Sequence, residues 1–353
     1  MKCYLEACCK RDNLMKRRLS LVMPCLNEAD HAVKSIESVY NALVQTKLDS
    51  FEIIIVDCNS SDGTPEILKS VGEKFGLKLY TVQEKNTAKA LNVGFRHAQY
   101  EYFARCDFHS IYPTNYFEEL ITALEKNPKV GFVGFPVSTI PVSDTKTATA
   151  ISMALSSRLG VGNSTFRIQS DTIDNAGLIF SDTAPFGCWR AHDHKNIGGF
   201  NESLPKNQDD EFCSRFLAHD LKVAIIIGKG MVTYFGRSNF MSLLVMYTNY
   251  GLYKPASKAY RLRSFNPRHF VPSIWLLVNI ILIAQAPFSI WQAPFLSMGL
   301  YALIIQSAAP MRLKLHFLAA TFLIHLGYGL GFIVGWLARK SSLRQLSLMN
   351  HRR

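Results

Sequence analysis

Two short stretches of the chain collect side chains able to do chemistry. In RCDFH, residues 105–109, an aspartate and a histidine stand two positions apart, Asp107 and His109, shortly before Pro113. In extended backbone, residues i and i+2 point to the same side, so this spacing predicts that carboxylate and imidazole reach one point. Such a pair is half of a divalent-metal site, and the remaining ligands must come from elsewhere in the chain or from a substrate. In QDDEF, residues 208–212, three acids follow one another: Asp209, Asp210 and Glu211. They read as the acidic first turn of a helix, which favours its dipole, or as the source of a general base. Three adjacent like charges repel, which favours a functional role for at least one. Asp57 closes the apolar run IIIVD, too far upstream to cap the next helix, whereas Ser61 or Asp62 can cap it with Pro65 in its first turn. An acid at the carboxyl end of a strand is placed to hydrogen-bond a ribose or a base edge.

Strands and helices must position these groups, and the first half of the chain alternates them. LSLVMP, FEIIIVD, LKLYTVQ, EYFARCD and VGFVGFPV read as strands. Between them ADHAVKSIESVYNAL, TPEILKSVGEKFG, TAKALNVGFRHAQ and NYFEELITALEKNP carry helical spacing. Continuous apolar strands alternating with helices predict an α/β fold whose mostly parallel sheet is covered on both faces. Ligands in such sheets bind beyond the carboxyl ends of the strands, where Asp57 and Asp107 lie. Between about residue 140 and residue 185 the pattern weakens, as in an irregular region lining a site. There is no GxxxxGK[ST] phosphate loop and no GxGxxG after the first strand. Gly327, Gly329 and Gly331 fall in an apolar helix and read as packing glycines.

A net charge of +12 over 353 residues calls for an anionic partner: nucleic acid, anionic lipid or a phosphorylated substrate. The apolar residues decide among these. From Val271 to Pro310 the chain has no Asp, Glu, Lys or Arg, about twice the ~20 residues that cross a bilayer. QAPFSIWQAP in its middle reads as a tight turn, and LHFLAATFLIHLGYGLGFIVGWLA supplies a further apolar run, giving two to three membrane helices. A pair of buried core helices is the alternative. Basic residues flank these runs, in KPASKAYRLRSFNPRH and RKSSLRQLSLMNHRR, which favours a cytoplasmic membrane face and speaks against a nucleic-acid binder. Three crossings would set the two basic flanks on opposite sides. The N-terminus lacks an apolar core of secretory-signal length, and a start at Met15 would lose nothing foldable. Cys25, Cys58, Cys106, Cys188 and Cys213 sit in or beside apolar segments, as buried thiols do in a reducing compartment.

PCLNE at 24–28, VDCNSSDGT at 56–64, RCDFH at 105–109 and NQDDEFCSR at 207–215 resemble, in this order, the motifs of inverting family 2 glycosyltransferases with a GT-A fold. The pattern is similar to the membrane-attached branch that includes succinoglycan-type glucosyltransferases, over roughly residues 18–340. The resemblance implies an N-terminal extension at 1–17 and a Rossmann-like GT-A nucleotide-sugar-binding domain at 18–236. It further implies an interfacial basic segment at 237–270, transmembrane helices at 271–338 and a basic tail at 339–353. Pro24, Asn27, Glu28 and Asp57 would line the donor pocket, together with Asp107 at the first acidic position of the family's metal motif. His109 stands where the second acid usually is, and the pair would hold Mn²⁺ or Mg²⁺, the imidazole favouring Mn²⁺. A turn role for His109, with Asp107 alone holding Mg²⁺, is the alternative.

Asp209 takes the position of the catalytic base, with Asp210 the runner-up because Gln208 departs from the family's glutamate. Trp189, Arg190, Glu211 and Arg215 fall on the acceptor side, plain core packing being the alternative for Trp189. Met246 and Asn249 stand where processive synthases carry Gln and Arg, which argues against a polymerase. The implied activity moves one sugar from a nucleotide donor, UDP-linked, to a lipid-linked polyprenyl acceptor in exopolysaccharide or cell-surface glycan synthesis. The implied place is the inner, cytoplasmic membrane, multi-pass, with the catalytic domain facing the cytoplasm. A polyisoprenyl-phosphate sugar transferase and a catalytically dead membrane scaffold are the alternatives.

Overall fold

In the computed structural model, which describes residues 16–162, 164, 166–167, 177–255, 267–285 and 292–338, the expected alternation is present. The chain runs β1 (Arg18–Cys25), α1 (Ala32–Gln45), β2 (Ser50–Asp57), α2 (Thr64–Phe75), β3 (Leu77–Thr81), α3 (Thr87–His97) and β4 (Tyr102–Arg105). It continues through β5 (Ser110–Ile111), α4 (Tyr116–Lys126), β6 (Val130–Gly134), β7 (Val137–Ile140), α5 (Lys146–Leu155), α6 (Arg158–Val161) and β8 (Gly177–Ser181). β9 (Gly187–Arg190), α7 (Ala191–Ile197), α8 (Gln208–Ala218), β10 (Lys222–Ile227) and β11 (Val232–Phe235) follow. Last come α9 (Phe240–Tyr253), α10 (Val271–Gln285), α11 (Ala293–Ser307) and α12 (Lys314–Leu337). The expectations for the N-terminal extension through Met15, for 256–266, for 286–291 and for the tail from 339 lie outside the described residues.

The main sheet has the order β3-β2-β1-β4-β9-β6-β10-β8, with β9 and β8 antiparallel to their neighbours and the other pairings parallel. A small second sheet, β5-β11-β7, stands beside it. Alternate residues of the central strands feed two cores. Leu19, Leu21, Met23, Ile53 and Ile55 pack with Ile36 and Val39 of α1 and Leu120 of α4, whereas Val22, Ile54 and Val56 pack with Leu91 of α3 and Phe212 and Phe216 of α8. Burial on both faces is why these strands read as unbroken apolar runs.

Two elements differ from expectation. VGFVGFPV is not one strand, because Pro136 has no N–H for a ladder, and the chain crosses there from β6 in the main sheet to β7 in the small one. At α2 the cap is Gly63, at φ 84°, rather than Ser61 or Asp62. Asp62 still accepts from the Thr64 N–H at 3.2 Å and ties the turn to β1's loop through the Ala29 N–H at 3.1 Å.

Away from the site, Glu52 is 5% exposed and accepts from Ser20 Oγ at 2.5 Å, Lys78 Nζ at 2.6 Å and the Gln99 N–H at 2.8 Å. Burial alone would raise its pKa, but these donors outweigh burial and hold it below the ordinary value. A depressed carboxylate contributes stability that is present above its unfolded pKa of about 4.3 and lost as pH falls through the folded value. Glu52→Gln should therefore lower stability by about 1.5–3 kcal/mol at neutral pH, with the difference from wild type shrinking in acid. Urea unfolding at pH 7 and pH 4 measures both.

The C-terminal helices expose apolar side chains and bury polar ones. In α10 the buried residues are Ser273 and Asn279, while Val271, Ile274, Leu277, Ile280, Ile281 and Ile283 are exposed. This inverted pattern is not that of core helices. Pro267–Gln285 and Met311–Leu337 are long and apolar enough to cross a membrane, and α11 is a shorter apolar helix. α12 packs on α9 backbone to backbone: a Cβ at Gly331 would meet the Thr248 carbonyl oxygen at 2.1 Å, and one at Gly251 the Tyr328 carbonyl oxygen at 2.2 Å. The expected packing role of the α12 glycines follows from that approach.

Candidate active site

The segment between β4 and β5 is a turn, not the extended backbone its spacing predicted. Phe108, fully buried, anchors the turn in the core, and Tyr112 Oη accepts from the Asp107 N–H at 2.7 Å. Asp107 and His109 nevertheless line the same two cavities. Asp107 is held by Arg105, whose Nε and Nη2 each donate to a carboxylate oxygen at 3.1 Å. Arg105 is 5% exposed, and its Nη1 is buried without a hydrogen-bond partner among the described residues. His109 Nδ1 lies 3.1 Å from Glu28 Oε1, and its ring stands edge-on to Tyr234 at 5.1 Å.

QDDEF opens α8, and its acids are sorted by their partners. Glu211, fully buried, pairs with Arg215 on the next turn at 2.8 Å. Asp210 pairs at 2.8 Å with Lys254 just past α9, and Asn207 Nδ2 donates to the Tyr250 carbonyl at 2.8 Å, so α9 holds the start of α8 at two points. Asp209 has no ion pair within 4 Å among the described residues; its Oδ1 accepts the Asp210 N–H at 3.0 Å. The two aspartates are driven apart. Burial, with Asp210 acting in the same direction, pushes the Asp209 carboxyl above its ordinary value against the pull of Arg105. At Asp210 burial acts the same way, but Lys254 outweighs it and the carboxyl is held low. An unpaired aspartate with a raised pKa beside a tightly paired one is the arrangement of a base and its support.

On the donor side, Pro24, Asn27 and Glu28 line a cavity of about 390 Å³ at the carboxyl ends of β1 and β2. Asn27, at φ 55°, donates its N–H to Ser60 Oγ at 2.9 Å and accepts from the Ser61 N–H at 2.9 Å, clasping the two loops together. Asp57 is spent inside its own turn, accepting from Ser60 Oγ at 2.5 Å and the Ser60 N–H at 3.1 Å. Its neighbours Cys25 and Cys58, rather than Asp57, line the cavity.

Four residues expected on the acceptor side are placed elsewhere. Trp189 is fully buried, stacked on Phe132 at 5.2 Å, and donates its indole N–H to His194 Nδ1 at 3.3 Å, where burial lowers the His194 pKa to about 4 and keeps the ring neutral. Arg190 holds the Val130 and Leu124 carbonyls at 2.8 and 2.5 Å. Arg215 holds the Ile197 and Gly199 carbonyls, each at 2.6 Å, and is itself fixed by Glu211. Sequence reasoning missed Arg105, Lys206 and Lys254. Arg105 lies two residues before Asp107, a same-side spacing that could have marked it, whereas Lys254 is 44 residues from its partner and carries no local signal.

A second cavity, of about 580 Å³, contains Asp107, His109, Asp209 and Asp210 and shares Thr87, Lys206 and Arg237 with the first. It continues past Leu159 and Val161 to Ile305 of α11 and Ile324 of α12. Among the described residues no group of three or more His, Cys, Asp or Glu side chains could enclose a metal ion. One carboxylate and one imidazole where two cavities meet do fit a divalent ion that takes its other ligands from a phosphorylated substrate.

The order of strands and helices defines a GT-A-like α/β fold with a mostly parallel mixed sheet, followed by long apolar helices. The chain matches the model of glycosyl transferase family 2 over residues 20–181. It is 28% identical over 341 residues to the succinoglycan biosynthesis protein ExoA of Rhizobium meliloti (strain 1021), covering 91% of this chain and 96% of that one. It is 23% identical over 342 residues to the dolichyl N-acetyl-alpha-D-glucosaminyl phosphate 3-beta-D-2,3-diacetamido-2,3-dideoxy-beta-D-glucuronosyltransferase of Methanococcus voltae, covering 92% and 99%. Mannosyltransferase PcManGT from Pyrobaculum calidifontis, solved with GDP-Man and Mn²⁺, shares the fold at a TM-score of 0.56 and 17% identity, over 90% of this chain and 92% of that one.

Proposed function

We propose that the protein is an inverting, metal-dependent glycosyltransferase that moves one sugar from a nucleotide sugar to a lipid-linked acceptor in exopolysaccharide or cell-surface glycan synthesis. The observation that carries this reading is the larger cavity, which joins Asp107 and Asp209 at one end to the apolar helices α11 and α12 at the other. An acceptor that fills it has a hydroxyl at the acids and an apolar chain against the helices. Arg158, Arg167, Lys206 and Arg237 line it without a carboxylate within 4 Å among the described residues, which suits a phosphate joining the two parts. The names of the Rhizobium and Methanococcus relatives, one a polysaccharide biosynthesis protein and the other acting on a dolichyl phosphate-linked sugar, agree with this class of acceptor. The inverted polarity of α10 and the basic flanks support a membrane-bound enzyme whose catalytic domain faces the cytoplasm.

Asp209 takes the proton from the acceptor hydroxyl as the sugar transfers. Asp210, neutralised by Lys254, holds the start of α8 so that Asp209 faces the cavity. Arg105 fixes Asp107 and tempers the charge around Asp209. Pro24 and Asn27 shape the donor pocket, with a UDP-linked sugar the first donor to test. Asp107 and His109 would hold a divalent ion, which supplies charge neutralisation for the departing diphosphate; the Mn²⁺ with PcManGT agrees with this. Transfer in membranes carrying the full chain should stop in EDTA and return with excess Mn²⁺ or Mg²⁺. Full activity in EDTA would remove the metal from the account.

A further inference from the structure

Glu28 belongs to the donor-side loop after β1, yet its carboxylate meets the imidazole of His109 rather than a backbone donor: Oε1 lies 3.1 Å from Nδ1. With an ionised carboxylate, which only accepts hydrogen bonds, the hydrogen of a neutral ring sits on Nδ1, and Nε2 is then the ring nitrogen with a lone pair to offer. Two further contacts hold the residue. Tyr234 stands edge-on to it with interplanar angle 77°, and the Phe235 N–H donates to the His109 carbonyl at 3.2 Å, so β11 fixes the residue from behind. The side chain of Glu28 is 15% exposed and that of His109 31%, and both line the smaller cavity.

We propose that Glu28 is the positioning residue for His109. It sets the ring's tautomer and rotation so that Nε2 binds the divalent ion beside Asp107, and this pair gives the site its preference for Mn²⁺ over Mg²⁺. A carboxylate on the far nitrogen of a ligating imidazole raises its basicity and holds its orientation. Mg²⁺ favours oxygen ligands and an imidazole suits softer ions. The inference rests on the metal reading of Asp107 and His109, and it moves Glu28 from nucleotide contact to support of the ion.

Mn²⁺ binding to the full chain in detergent, with UDP present, is read from the free-Mn²⁺ electron paramagnetic resonance signal; UDP binding in EDTA is measured separately. Glu28→Gln should weaken Mn²⁺ binding by about 10- to 100-fold and leave UDP binding in EDTA unchanged. His109→Asp should move the preference toward Mg²⁺, and in that background Glu28→Gln should cost nothing, because it removes a carboxylate facing the new aspartate. Metal binding by that double variant also shows that the Glu28→Gln chain folds. Wild-type Mn²⁺ affinity in Glu28→Gln, an equal loss in both backgrounds, or UDP binding lost in EDTA would each overturn the assignment. If the wild-type chain with UDP binds no Mn²⁺, the metal reading itself falls and takes the inference with it.

Discussion

Asp209→Asn should leave nucleotide-sugar binding intact and reduce single-turnover transfer by about 10²- to 10⁴-fold, the range for loss of a general base. The substitution keeps size and a hydrogen-bonding oxygen for the Asp210 N–H but cannot take the acceptor's proton. Asp210→Asn should cost much less at the chemical step, because that carboxylate is already committed to Lys254 at 2.8 Å. The pH profile gives a second readout. Burial raises the Asp209 pKa above the ordinary aspartate value, so the base is lost as pH falls through that raised value, and the acid limb of kcat should sit correspondingly higher than for a free aspartate. If Asp210→Asn is the inactive variant and Asp209→Asn transfers normally, the base is one residue further along α8.

Lys254→Met should produce the largest loss of stability, about 3–5 kcal/mol, because it leaves the Asp210 charge without its partner in a protein interior. Lys254 is 3% exposed and the Asp210 side chain 21%. Asp210→Asn added to Lys254→Met removes the stranded charge and should recover most of the loss, whereas Asp210→Asn alone strands the lysine. The sign with pH follows from Asp210, held low by Lys254 against burial: the pair stabilises above the unfolded carboxylate pKa, about 3.9, and its contribution fades as pH falls through the folded value. Thermal unfolding of the detergent-solubilised full chain at pH 7 and pH 4 tests both points. Equal melting of Lys254→Met and wild type at pH 7 would mean that the pair does not tie α9 to α8.

The parallel strands were legible because burial on both faces leaves runs such as Ile53–Val56 without a polar break, and α1 to α4 because each shows one apolar stripe. The same double burial hid the fate of Trp189. A strand with no outward face offers no alternation from which to tell a sugar platform from a core ring, and only the stacking on Phe132 and the edge-on contact with Phe200 decide it. That Asp107 and His109 line the same two cavities agrees with their spacing though not with the backbone expected there, since the buried Phe108 between them sits in a turn rather than a strand. The QDDEF acids could not be ranked from local spacing. Lys254 and Arg215 separate them, and Lys254 reaches Asp210 only because α9 folds back across the start of α8. Gln208, where the resemblance places a glutamate, is 8% exposed and lines the larger cavity beside Asp209, so its departure from the pattern falls at the site itself.

The most direct test of the account is to incubate membranes carrying the full chain with a panel of labelled nucleotide sugars and Mn²⁺, and to follow label into the organic-solvent-extractable lipid fraction. The account predicts that one donor labels lipid, that EDTA blocks the transfer, and that membranes carrying Asp209→Asn bind that donor without labelling lipid. Label that appears only as free sugar or soluble product, or lipid labelling at wild-type rate by Asp209→Asn, would contradict it.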